Sequence, residues 1–167
     1  MATASPLTSC TDSADVVTTD CLRSVLIADD NDFLRRALRS FLEDMGNIKV
    51  CAEAIDGSEA VEQAKLHRPD LILMDFSMPG MNGMEASSAI KTTMPDSRII
   101  LFTAYSSDVS EKIARAAGID LVICKDEGTA ALRKALHSVF PDSVALPVRE
   151  KQPSTNLVVN SLFSSLT

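Results

Sequence analysis

The chain has no surplus of basic residues: 16 Lys and Arg stand against 23 Asp and Glu, a formal net charge of −7 across 167 residues. A general affinity for nucleic acid or for an anionic membrane needs a basic face, so neither is expected as a principal partner. No apolar stretch of the sequence approaches the roughly 20 residues that span a bilayer. No Lys or Arg precedes Arg23 to serve as the charged start of a signal peptide. Cys10, Cys21, Cys51 and Cys124 show no metal-type pair spacing. A reduced, cytoplasmic setting is expected, with Cys51 and Cys124 filling small gaps in the core from strand-like runs. What the chain does have is enough apolar material, 46% of its residues, to fill one domain.

Residues 1–20 are rich in Ser, Thr, Ala and Asp without periodicity and read as a flexible tail. From Cys21 onward strand and helix signals alternate. Strands are predicted at 25–28, 49–54, 71–74, 98–102 and 121–124, and helices at 32–45, 58–67, 83–93, 108–117 and 129–139. In the first helix Phe33, Leu34, Ala37, Leu38, Phe41, Leu42 and Met45 repeat on one face, which leaves Arg35, Arg36 and Arg39 for the solvent face. Gly46, Asp56-Gly57, Pro69, Pro95 and Gly118 lie between periodic segments, where each ends or redirects a helix. Five βα units joined by right-handed crossovers give an α/β fold, a parallel five-stranded sheet between two layers of helices. After Phe140 the pattern stops. Residues 141–167 read as a second tail, too short for a DNA-binding helix-turn-helix, although Leu157, Val158, Val159, Leu162, Phe163 and Leu166 offer a short apolar docking segment.

Polar residues end four of the apolar runs: Asp29 and Asp30 after SVLIA, Asp75 after DLILM, Thr103 after RIILF and Lys125 after LVIC. Ligands of parallel sheets bind at the carboxyl ends of the strands, so these residues are expected in one site. Singly, each has an ordinary explanation: an acidic pair before a helix is commonly an N-cap, and a strand-end Lys or Thr is commonly just surface. Jointly they are harder to dismiss. Carboxylates 4 Å apart repel by roughly 4 kcal/mol at an effective dielectric near 20. A cation must offset that repulsion, and oxygen ligands without nearby His or Cys favour Mg²⁺. Lys125 adds a fixed positive charge suited to a phosphoryl oxygen, and Thr103 a neutral donor to another. Asp75, the solitary carboxylate on the central strand, is the expected nucleophile, attacking phosphorus in line to give an aspartyl phosphate. Asp29 and Asp30 are better disposed to hold the metal and its water.

These residues, in the segments IADDND, RPDLILMDFSMPGMNG, ILFTAYSS and AGIDLVICKD, resemble a response-regulator receiver domain, similar to CheY and to the receivers of LuxR-type regulators, over about residues 21–140. The resemblance implies a flavodoxin-like fold in which Asp75 accepts phosphate from a sensor histidine kinase or a histidine phosphotransfer protein. It implies Mg²⁺ held directly by Asp30 and Asp75 and by the main-chain carbonyl of Ser77, with Asp29 acting largely through water. Thr103 and Lys125 would then report the phosphoryl group to the face built from the last two helices and the last strand. Two departures are visible. The position three before the lysine, often aromatic in the family, is Val122, and the proline common after the lysine is Asp126. A valine moves little surface when its rotamer changes, which leaves Tyr105 as a candidate switching residue.

The first expectation is therefore a stand-alone response regulator with an unknown output protein, no direct DNA binding and, optionally, a phosphorylation-dependent homodimer. A phosphorelay intermediate or phosphate sink, and a receiver-like binding module that works without phosphate, are the alternatives. A phosphatase of the aspartate-nucleophile type is disfavoured, since such enzymes place a second acid two residues beyond the nucleophile and here that residue is Ser77.

Overall fold

In the computed structural model, residues 22–104 and 110–140 are described. The five apolar runs form β1 (Arg23–Ala28), β2 (Ile48–Ala54), β3 (Leu71–Met74), β4 (Arg98–Thr103) and β5 (Leu121–Cys124). All neighbouring strands pair in parallel, in the order β2-β1-β3-β4-β5. Val25, Leu26 and Ile27 of β1 and Leu71, Ile72 and Met74 of β3 have no exposed surface. That is why these runs are continuously apolar: a parallel strand at the centre is covered on both faces.

Successive side chains point to opposite faces and feed two cores. Val25, Ile27, Leu73, Ile100 and Phe102 pack with Leu34, Leu38 and Leu42 of α1 (Asp32–Glu43) and with Leu132 and Leu136 of α5 (Gly128–Val139). Leu26, Ile72, Met74, Ile99 and Leu101 pack with α2 (Gly57–His67), α3 (Gly83–Thr93) and α4 (Glu111–Ala116). Most buried positions there are small, Ala60, Ala64, Ala86 and Ala114, with Val61 and Ile90 the larger exceptions. Each fully buried large side chain contributes about 1.5–3 kcal/mol relative to exposure. α1, α2 and α3 are started by capping side chains: Asn31 accepts from the Leu34 N–H, Asp56 from Glu59, and Asn82 from Met84 and Glu85, while the Glu85 carboxylate accepts in turn from the Asn82 N–H. Such caps are worth about 1 kcal/mol each.

The parallel α/β architecture agrees with the sequence reading, and four details correct it. Phe33, assigned to the apolar face of α1, is 56% exposed, whereas Arg35, assigned to solvent, is 8% exposed. The first turn of α1 lies at the carboxyl edge of the sheet, where the strands end and polar loop atoms replace the apolar floor. Gly57 begins α2 rather than ending a segment, and β4 runs one residue further, through Thr103. Cys51 and Cys124 are half-buried rather than core fillers, and the Cys51 thiol donates to the Val25 carbonyl. The tails at 1–20 and 141–167, and Tyr105, lie outside the described residues.

Candidate functional site

The connection from β1 leads to β2 on one side, and the later strands build outward on the other, so the winding reverses between β1 and β3. A crevice at the carboxyl edge of such a reversal is where ligands of doubly wound sheets sit. Main-chain hydrogen bonds run one residue past the strands here: the Asp75 N–H donates to the Ala28 carbonyl at 2.8 Å and the Asp29 N–H to Ala54 at 3.1 Å. Asp29 and Asp75 therefore emerge side by side, 2% and 6% exposed. Asp30 is exposed, and one carboxylate oxygen from each of Asp29, Asp30 and Asp75 lies within 4.8 Å of the others.

Lys125 completes the group from the far strand. It directly follows β5, is 6% exposed, and its Nζ donates to Asp29 Oδ2 at 2.8 Å and lies 3.1 Å from Asp75 Oδ1. Lys125–Glu127 form a single 3₁₀ turn held at its base by the Cys124 N–H donating to the Glu127 carboxylate at 3.2 Å. Thr103 ends β4 fully buried, in register with Cys124, next to Lys125. Ser77 is exposed in the loop that follows Asp75. That loop closes tightly: the Gly83 N–H donates to the Phe76 carbonyl at 3.0 Å, and a Cβ at Gly83 would run into the carbonyl oxygen of Asp75. Only glycine lets α3 begin this close to the end of β3.

The charges do not balance. Burial raises the pKa of Asp75, and although Lys125 pulls it down, the Asp29 carboxylate adds to the rise; the result lies above the ordinary carboxylate range. For Lys125 burial works against the ammonium, but Asp29 and Asp75 together outweigh it and hold its pKa above the usual lysine value. One ammonium among three carboxylates leaves the site short of positive charge. Its donors are hard oxygens, and this shortfall fits a divalent cation of the Mg²⁺ type.

Sequence reasoning missed three residues that build this site. Arg35 donates to the Asp29 main-chain carbonyl at 2.7 Å, Glu53 of β2 accepts from Arg35 at 3.2 Å, and the Asn31 N–H donates to Asp29 Oδ1 at 2.9 Å. The available signal was Glu53, an acid inside the strand run KVCAEA at the same edge of the sheet, which needs a cation.

Residues 25–137 match the family described as response regulator receiver domain. The chain belongs to that family. Receivers are regulatory phosphoacceptor domains of two-component systems, phosphorylated on aspartate with Mg²⁺ at an acidic pocket. The response regulator protein VraR of Staphylococcus saprophyticus is 32% identical over 133 residues, covering 76% of this chain and 64% of its own length. The chain thus spans somewhat under two thirds of the curated relatives it matches. Among solved structures, a LuxR-family two-component response regulator from Aurantimonas superposes with a TM-score of 0.66 at 28% identity, over 70% of this chain and 84% of its own. CheY of Borrelia burgdorferi, solved with CheX, BeF₃ and Mg²⁺, gives 0.65 at 28% identity over 71% and 89%. Among the described residues no helix is long and apolar enough to cross a membrane.

Proposed function

We propose that this receiver takes a phosphoryl group on Asp75 from a sensor histidine kinase or a histidine phosphotransfer protein, and passes the signal on through altered contacts with another protein. The observation that carries the reading is the Lys125 ammonium set between Asp29 and Asp75, with the Asp30 carboxylate within 4.8 Å, at the carboxyl edge of the sheet. Asp29, Asp30, Asp75 and the main-chain carbonyl of Ser77 would hold Mg²⁺. Bound there, the ion supplies the positive charge that screens phosphoryl oxygens from the carboxylates. Asp75 is the nucleophile, and its Oδ attacks phosphorus as the donor's bond to phosphorus breaks. Lys125 leaves its place between Asp29 and Asp75 for a phosphoryl oxygen, and the Thr103 hydroxyl donates to another. For output we favour the surface of α4 and β5, where Ile113 is 62% and Leu121 38% exposed, as the contact for a partner protein or a second copy. Half-buried Val122 packs against the core beneath that surface.

Intact mass after exposure to acetyl phosphate tests the reading. One added phosphoryl group that requires both Mg²⁺ and Asp75 supports it, with Asp75→Asn and EDTA as controls. A folded wild-type protein that takes up nothing would sink it and favour a binding module that works without phosphate. Rapid return of the phosphoryl group to a histidine phosphotransfer domain, with no phosphate-dependent partner, would make the chain a relay intermediate or phosphate sink.

A further inference from the structure

We infer that Arg35 is the positioning residue of the metal-binding loop, an inference that rests on the receiver reading of the site. Its side chain is 9% exposed, and its guanidinium reaches three segments. One nitrogen donates to the Asp29 carbonyl at 2.7 Å, Nε to Glu53 Oε2 at 3.2 Å, and the third nitrogen to Asp32 Oδ1 at 3.1 Å. Asp29 is thereby fixed on both sides of its α-carbon. Its N–H is tied to Ala54 at the end of β2, and its carbonyl is tied through Arg35 to Glu53, the neighbouring residue of that strand. Its Oδ1 in turn takes the Asn31 N–H, so the chain from 29 to 31, Asp30 included, is held against β2.

A planar guanidinium is the side chain suited to this, because one group must satisfy a carbonyl and two carboxylates in different directions. The charge of Arg35 opposes the binding of a cation nearby, while its bonds fix the ligands before the cation arrives. The two effects have opposite signs, so a variant distinguishes them. The same bonds explain why a charged residue on the core-facing side of α1 stays buried: every acceptor around it belongs to the rim of the site.

The test is a calorimetric Mg²⁺ titration without any phosphodonor, on wild type, Arg35→Gln, Arg35→Lys and Glu53→Gln, with amide exchange at Asp29 and Asn31 followed in EDTA. Loss of a group that orients ligands weakens metal binding by about tenfold or more. We expect that loss in Arg35→Gln, a smaller one in Arg35→Lys, which keeps the charge without the fork, and about two- to threefold in Glu53→Gln. Exchange at Asn31 should accelerate in Arg35→Gln before any metal is added. With acetyl phosphate, saturating Mg²⁺ should restore the phosphorylation rate of these variants to within about twofold of wild type, since only ligand placement is impaired. Unchanged or tighter Mg²⁺ binding in folded Arg35→Gln overturns the inference. If that variant does not fold, unchanged binding in Glu53→Gln does so. A wild type that binds no Mg²⁺ overturns the receiver reading and this inference together, whereas wild-type binding with unchanged variants overturns this one alone.

Discussion

Replacing Asp75 by Asn should make the metal-free protein more stable while abolishing phosphate uptake. The repulsion between Asp29 and Asp75, with carboxylate oxygens no more than 4.8 Å apart, is at least about 3.5 kcal/mol at an effective dielectric of 20. The attraction to Lys125 at 3.1 Å is about 5.4 kcal/mol on the same footing. Those two terms favour the charged side chain by about 2 kcal/mol, but burying a carboxylate costs several kcal/mol, so the sum favours the neutral form by about 1–3 kcal/mol. Burial is also the leading reason that the Asp75 pKa is raised. A carboxylate whose folded pKa is raised loses stability as the pH rises from its unfolded to its folded pKa, and the cost is complete above the folded value. The gain from Asn should therefore be present at neutral pH and vanish below the unfolded carboxylate pKa of about 3.9. Urea unfolding in EDTA measures it. With Mg²⁺ at about 100 times its dissociation constant, wild type should recover about 2.7 kcal/mol and the ordering should close or reverse. An Asp75→Asn protein less stable than wild type in EDTA at neutral pH would refute the charge accounting.

Lys125→Met leaves two buried carboxylates without their ammonium and should cost about 3–5 kcal/mol. The stability from Lys125 is fully present below the unfolded lysine pKa of about 10.4 and is lost as pH rises through the raised folded value, so chemical unfolding should show the two proteins converging at high alkaline pH. Thr103→Val keeps the volume and removes the hydroxyl; a lost hydrogen bond to a charged group, about 1.5–3 kcal/mol, should weaken BeF₃ binding at least tenfold while calorimetry finds Mg²⁺ affinity unchanged. Gly83→Ala must push α3 away from the Asp75 carbonyl, which should cost about 1–3 kcal/mol by thermal unfolding and slow phosphate uptake.

The architecture was legible because the strands are built on short apolar runs bounded by Gly, Pro or a capping side chain, and because the central strands β1, β3 and β4 carry no polar alternation to confuse with a helix. The acidic cluster and Lys125 were legible for a related reason: a charged residue ending a fully apolar strand has no role in the core. Arg35 and Phe33 were not. Helical periodicity identifies the face of α1 that points at the sheet, but not that its first turn meets the polar rim, where a guanidinium finds acceptors and a phenyl ring finds solvent. The 3₁₀ turn at Lys125–Glu127 was also hidden, because it depends on a bond from the Cys124 N–H to the Glu127 side chain rather than on any periodic pattern.

The bond between Lys125 and Asp29 joins residues 96 apart in sequence, and so acts as a non-covalent clasp between the first and last strands of the domain. Among the described residues β5 is an edge strand, paired on one side to β4. An edge strand opens more readily than the centre of a sheet, and closing a loop of this length carries an entropic cost that the clasp offsets. Moving the ammonium from Asp29 to a phosphoryl oxygen transfers the clasp from the first strand to the third. Amide exchange along β5 would then serve as a gauge of phosphorylation, recording how tightly the last strand is fastened.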